Sequence, residues 1–118
     1  MAFRVSAVPV QSGGAAVFRL AGELDLATVD TVRAAVEESC RSGARVVLDL
    51  SEVGFCDSTG LGMIVGLYRR AATAGGDLQL CALQPRIRNL LEVSGVDRVI
   101  PVHNTAEDAL AAPGPNGN

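Results

Sequence analysis

The chain contains no lysine and no tryptophan, and all ten of its basic residues are arginine. A phosphate-binding loop of the Walker type requires a lysine after its glycines, and protein kinases require a lysine on a strand. The sequence therefore excludes both classes. His103 is the single histidine, so few general bases are available for an enzyme that would use a serine or cysteine nucleophile.

Long apolar segments are also missing. The longest strongly apolar run, residues 60–68, is far shorter than the roughly 20 residues of a membrane-spanning helix. The first residues lack the continuous apolar region of a secretion signal. We therefore expect a soluble, cytoplasmic protein with no membrane contact.

The cysteines, Cys40, Cys56 and Cys81, are odd in number and far apart. This pattern favours small buried apolar side chains in a reducing compartment over disulfides. A metal site would need cysteine and histidine in a cluster, and none is present. We expect neither a metal nor a cofactor.

The length of 118 residues corresponds to one domain, predicted at residues 1–112. The remaining residues, 113–118, consist of proline, glycine and asparagine and are predicted to be disordered. The net charge of −3 argues against a nucleic-acid-binding protein, which normally has a basic face. No direct nucleic-acid partner is expected.

Apolar periodicity predicts the order β-β-α-β-α-β-α-β-α. The predicted strands are residues 3–10, 15–21, 46–50, 78–83 and 99–102, and the predicted helices are 27–41, 59–73, 85–94 and 106–112. A turn is expected at 22–25. This order indicates an α/β fold with a mostly parallel sheet, one antiparallel edge strand and packed helices.

Polar residues follow two of the predicted strands. Glu23 and Asp25 follow the second strand, whereas Asp57, Ser58 and Thr59 follow the third. If those strands are neighbours, these residues share the edge at which α/β proteins usually bind their ligands. Alternatively, Asp25, Asp57 and Ser58 only cap helices. A phosphate on Ser58 would lie near a helix N-terminus, which favours negative charge, and would add almost two charges to the surface.

The helix that follows Ser58 has more apolar surface than one face needs. Its predicted core stripe is Leu61, Ile64, Val65, Tyr68 and Ala72. Met63 and Leu67 lie partly off that stripe, close to Gly62 and Gly66. The helix is either buried on two sides or exposes an apolar strip to a partner; we favour the partner strip, because methionine is adaptable and glycine permits close approach.

The run Asp57-Ser58-Thr59-Gly60-Leu61-Gly62, preceded by Gly22-Glu23-Leu24-Asp25, resembles the STAS domain family. More narrowly, it resembles the bacterial anti-sigma factor antagonists. The similarity extends from about residue 3 to residue 112 and includes Pro85-Arg86-Ile87-Arg88 and Gly95-Val96-Asp97-Arg98.

This resemblance implies a binding protein with no reaction of its own. In that family the unphosphorylated antagonist binds an anti-sigma factor, often a serine kinase, and so frees a sigma factor. Phosphorylation of the serine that matches Ser58 weakens the complex, and a phosphatase reverses it; Thr59 is the rival acceptor. The predicted partner-binding residues are Glu23, Asp25, Asp57, Ser58, Thr59, Gly60, Gly62, Met63, Gly66 and Leu67.

Two other functions are alternatives to this one. A serine hydrolase would need a base beside Ser58 and the elbow motif of that class, and neither is evident. The second alternative lies within the family, as a STAS subunit of a stress-sensing complex or of a lipid-transport ATPase, in which Ser58 would be structural.

Overall fold

The computed structural model describes residues 2–11 and 13–114. Its strands are β1 (Arg4–Val8), β2 (Ala15–Leu24), β3 (Arg45–Cys56), β4 (Asp77–Cys81) and β5 (Val102–His103). Its α-helices are α1 (Val29–Arg41), α2 (Ser58–Thr73), α3 (Pro85–Ser94) and α4 (Ala106–Ala111), with a 3-10 turn at Val96–Arg98. No helix of this described part is long and apolar enough to cross a membrane.

Each strand of the single sheet lies beside its neighbours in the sequence, in the order β1-β2-β3-β4-β5. β1 pairs antiparallel with β2, and the remaining pairs are parallel. The predicted α/β fold, with one antiparallel edge strand, is confirmed. Helices α1, α2 and α3 cover one face of the sheet, while Ala109 of α4 packs on the other face against Val17, Val47 and Cys81.

Strands β2 and β3 are longer than predicted, and the turn expected at residues 22–25 begins later. β2 continues through Gly22 to Leu24, and β3 continues to Cys56. Two shifts in the β2–β3 register let the strands stay paired. At Gly22 φ is +121°, and a Cβ would lie 2.9 Å from the Phe3 ring, so this continuation depends on glycine.

The last strand also differs from the prediction of 99–102. Gly95 ends α3 in the left-handed conformation, with φ +81°. The chain then winds through the 3-10 turn, in which the amides of Val99 and Ile100 both donate to the Val96 carbonyl. Only Val102 and His103 pair with β4, because the preceding residues are used in that turn.

Arg45 ties the C-terminal helix to the sheet. Its guanidinium forms two hydrogen bonds to Asp77, at 3.0 and 2.9 Å. It also donates to the carbonyls of Ala109, Ala112 and Pro113. The guanidinium thus binds carbonyls at the C-terminal end of α4 and in the two residues that follow it. Within the tail predicted to be disordered, 113–118, the Pro113 carbonyl thus has a hydrogen-bond partner, and residues 115–118 lie outside the described residues.

Replacing Arg45 by Gln should destabilise the fold. The Arg45 and Asp77 side chains are only 14% and 15% exposed, so the change leaves a poorly solvated carboxylate and several unpaired carbonyls. We expect the free energy of unfolding in urea to fall by about 2–3 kcal/mol. Arg33→Gln is the control, because Arg33 and its partner Asp30 are 46% and 92% exposed, and it should cost at most about 0.5 kcal/mol. Equal losses would contradict the role of Arg45.

Candidate functional site

The C-terminal ends of β2 and β3 place the two polar loops side by side. Leu24 and Cys56 are partners in the parallel register, and the Asp57 amide donates to the Leu24 carbonyl at 3.1 Å. Neighbouring strands run about 4.8 Å apart, so Asp25 and Asp57 begin their loops next to one another. The sequence prediction that these loops share one edge of the sheet is confirmed.

Asp57 is the N-cap of α2. Its Oδ1 accepts a hydrogen bond from the Gly60 amide at 3.0 Å, in the usual geometry of an aspartate cap. The capping alternative therefore describes Asp57 correctly. Ser58 is the first residue of the helix, so it does not occupy the cap position.

The Ser58 side chain is exposed, whereas Thr59 is half-buried. The Ser58 hydroxyl forms no hydrogen bond to another residue of the described chain, while the Gly60 amide is already bonded to Asp57. The first two amides of α2 remain as donors for an anion at this helix end. Ser58 is thus an accessible hydroxyl beside two free amides.

The adjacent loop holds Asp25 in a fixed turn. Asp25 Oδ1 accepts from the Ala27 amide at 3.0 Å. The Thr28 hydroxyl donates to the Glu23 carbonyl at 2.6 Å and accepts from the Asp25 amide at 3.0 Å. Thr28 occupies the N-cap position of α1, but its side chain does not cap that helix. Glu23 is exposed, and with Asp25 and Asp57 it forms what we call the acidic edge.

Gly60 permits the start of α2 to lie directly on the ends of both strands. A Cβ at this position would be 2.6 Å from the Leu24 carbonyl oxygen and 3.0 Å from Cys56 Sγ. Both are far closer than a real side chain tolerates. Gly60 is buried and cannot contact a partner, which corrects its predicted place among the partner-binding residues.

The buried face of α2 is also rotated from the one predicted. Met63 and Leu67 are each 2% exposed and lie in the core with Ile64 and Ala71, whereas Ala72 is exposed. The expectation that Met63 and Leu67 form an exposed partner strip is therefore wrong. With Gly60 against the sheet, the face centred on Met63, Leu67 and Ala71 must turn inward, since each residue advances the helix by about 100°.

The opposite face of α2 is open. Ser58, Gly62 and Gly66 are all exposed and follow one another at four-residue intervals, so they lie on one face of the helix. Nothing lies within 4 Å of a Cβ built on Gly62 or Gly66. We call these three residues the open stripe. Their arrangement leaves the helix backbone accessible from Ser58 to the third turn.

Two large apolar side chains that were not predicted to be functional lie beside this site. Leu26 is 77% exposed in the Asp25 loop, and Phe55 is 41% exposed at the end of β3. Phe55 pairs in register with Glu23 and lines an 820 Å³ concavity that Asp25 and Arg86 also line. The sequence contains one signal that Leu26 is exposed. It is an apolar residue inside a polar turn, and turn residues are rarely buried.

The cysteines are unsuited to nucleophilic chemistry. All three are buried and free of disulfides, as predicted. Burial, and then the charge of Asp57, raise the pKa of Cys56 to about 11. Burial is also the main cause of the pKa values of about 11 at Cys40 and Cys81. Their thiols are therefore protonated at neutral pH. Within the described residues, no group of three potential ligands is placed to hold a metal ion.

The sheet is mostly parallel, and its edge presents an exposed serine at the start of a helix. Carboxylates and an open helix face flank this serine. Together these features define a small protein-binding domain. The STAS domain family matches residues 6–109, and the chain belongs to that family.

Individual relatives cover most of this chain. It is 36% identical over 99 residues to the anti-sigma F factor antagonist of Paenibacillus polymyxa, covering 82% of this chain and 85% of the relative. An anti-sigma factor antagonist from Mycobacterium paratuberculosis superposes with a TM-score of 0.77 at 25% identity, covering 91% of this chain and 92% of that one. The phosphorylated form of the Bacillus cell fate determinant SpoIIAA gives 0.67 at 27% identity, covering 92% and 96%.

Alanine at Gly60 and alanine at Gly62, both in α2, should have opposite effects on the free energy of unfolding. Gly60→Ala forces the helix start away from Leu24 and Cys56, so we expect the free energy of unfolding to fall by about 2 kcal/mol. Gly62→Ala, the control, adds a methyl group in open space and should raise it by about 0.5–1 kcal/mol. Urea titration measures both. A loss of stability at Gly62, or none at Gly60, would contradict the packing described.

Proposed function

We propose that this chain is an anti-sigma factor antagonist controlled by phosphorylation of Ser58. In its unphosphorylated form it binds an anti-sigma factor that is also a serine kinase, and so releases a sigma factor. The kinase phosphorylates Ser58 and ends the interaction, and a phosphatase restores it. The observation that carries this proposal is the exposed Ser58 hydroxyl at the first residue of α2, where it caps nothing.

The geometry favours Ser58 over Thr59 as the acceptor. A kinase must reach the hydroxyl from outside, and Thr59 is half-buried while Ser58 is exposed. The free amides at the start of α2 favour a phosphate there, and the acidic edge opposes it. These effects offset one another within the fold, so the domain tolerates the modified side chain.

The main effect of phosphorylation then falls on the complex. A partner that packs over Ser58, Leu26 and Phe55 would have to desolvate a doubly charged group next to the acidic edge. A loss of about 3 kcal/mol weakens binding roughly a hundredfold, which is enough to exchange one partner for another. The switch is a change at the interface and needs no refolding of the sheet.

In this proposal the chain catalyses no reaction of its own. Ser58 would need a base within hydrogen-bonding reach to act as a nucleophile. His103 lies on β5, separated from β3 by the whole width of β4, and its Nε2 is buried. That arrangement supports a binding role for Ser58.

The proposal is tested by capture from a lysate of the native cell, with Ser58→Ala and Ser58→Asp chains as bait. We expect the Ser58→Ala chain to capture a kinase-like anti-sigma protein. The Ser58→Asp chain should bind that protein about 100-fold more weakly, because the added charge lies in a close interface. Incubation of wild-type chain with that kinase and ATP should place phosphate on Ser58, with Thr59→Ala as the control. Equal capture of a transporter ATPase or a large scaffold by both baits would favour the structural role of Ser58 instead.

The open stripe gives a second test of the binding face. Gly62→Leu fills open space, so the thermal midpoint should be unchanged or higher, while affinity for the captured anti-sigma protein falls at least about tenfold because the side chain blocks close approach. Thr31→Leu is the matched control, since Thr31 is also an exposed helical residue, and calorimetric titration should show wild-type affinity. Wild-type affinity in Gly62→Leu would place the interface elsewhere.

A further inference from the structure

A groove between the C-terminal ends of α1 and α2 carries an excess of positive charge. It has a volume of about 460 Å³ and is lined by Arg41, Gly66, Arg69, Arg70, Thr73 and Ala74. Three of the chain's ten arginines therefore meet in one groove of a protein whose net charge is −3. We call it the arginine groove.

One carboxylate serves two of these arginines. Glu37 Oε1 lies 2.9 Å from Arg41 Nη2, and its Oε2 lies 3.5 Å from Arg70 Nη1. Arg41 and Arg70 also stand in the last turns of their helices, where a cation is favourable. The positions of Arg41 and Arg70 are therefore explained in part by their contribution to the stability of the fold.

The position of Arg69 is not explained by an ion pair that stabilises the fold. It is exposed and lines the arginine groove, but it makes no ion pair with any residue in the described part of the chain. With one carboxylate for three guanidinium groups, the groove presents unneutralised charge that an acidic side chain could satisfy with paired hydrogen bonds.

The arginine groove continues the open stripe. Gly66 is the last residue of that stripe and also lines the groove. Arg69 is eleven residues after Ser58, so it stands about 16 Å further along the helix axis. A partner lying along α2 would meet the acidic edge at one end of its footprint and the arginine groove at the other.

We infer that the arginine groove receives an acidic segment of the anti-sigma partner, with aspartate or glutamate side chains on Arg69. This inference rests on the proposed function and extends it, because it assigns opposite charges to the two ends of the interface. Opposite charges at the two ends would fix the direction in which the partner lies along α2, since reversing it would bring like charges together.

The test compares two charge reversals of equal size. Arg69→Glu alters the groove, whereas Arg88→Glu alters an exposed position of α3 and changes the net charge by the same amount. We expect Arg69→Glu to weaken binding of the purified anti-sigma protein about tenfold at about 0.05 M salt and only about twofold at about 0.5 M, because salt screens exposed charges. Arg88→Glu should stay within about twofold of wild type at either concentration. Thermal midpoints of both variants establish that they are folded.

A photo-crosslinking amino acid at the position of Thr73 provides an independent measurement. The crosslinked peptide of the anti-sigma protein should contain at least two aspartate or glutamate residues. A peptide without acidic residues, or equal affinities for Arg69→Glu and Arg88→Glu, would overturn the inference. Conversion of a wild-type dimer to a monomer by Arg69→Glu, seen by sedimentation, would also overturn it, because a second copy of the chain would then fill the groove.

The two hypotheses fail in different ways. If wild-type chain does not bind the anti-sigma protein, or if Ser58→Asp binds it equally well, the proposed function is wrong. If binding depends on Ser58 but not on Arg69, only the arginine groove is misassigned.

Discussion

The contact of Gly60 with the paired ends of β2 and β3 is the constraint on which the site depends. Because no side chain separates α2 from Leu24 and Cys56, the first turn of the helix lies against the sheet. That contact sets the rotation of the whole helix, with Met63 and Leu67 inward and Ser58 outward. The exposure of Ser58 is therefore a consequence of packing on the other side of the same helix.

The same helix connects the two charged regions of the surface. Its N-terminus adjoins the acidic edge, and its last turns line the arginine groove. Since a helix of sixteen residues is rigid over its length of about 24 Å, the separation of the two regions is fixed. A negative group added at Ser58 increases a charge difference that the unmodified surface already has, without any movement of the core.

Strong periodicity made the element order predictable from sequence. The inner strands read as continuous apolar runs, and α1 has Val29, Val32, Val36 and Cys40 at helical spacing. Asp57 was recognisable as a cap, and the loops were correctly placed on one edge, because parallel strands meet at their C-terminal ends. These features follow from local pattern and general topology.

Features set by tertiary contact were not predictable. A glycine contributes nothing to an apolar stripe, so periodicity offers no reason to turn Gly60 inward and favours a core stripe through Leu61 and Tyr68 instead. The continuation of β2 through Gly22 depends on register shifts with β3, and propensity alone favoured a turn there. The Pro113 carbonyl accepts a hydrogen bond from Arg45, 68 residues away in the sequence, and no local pattern indicates that contact.

The strand order has a consequence for the path by which the chain folds. Every strand after β1 pairs with the strand synthesised just before it. The sheet can therefore grow in one direction as the chain leaves the ribosome, and no early strand waits for a distant partner. Folding rates rise as contacting residues come closer in sequence. The exception is Arg45, whose carbonyl partners Ala109 and Ala112 lie 64 and 67 residues further along the chain. These contacts can therefore form only after all five strands of the sheet have been synthesised.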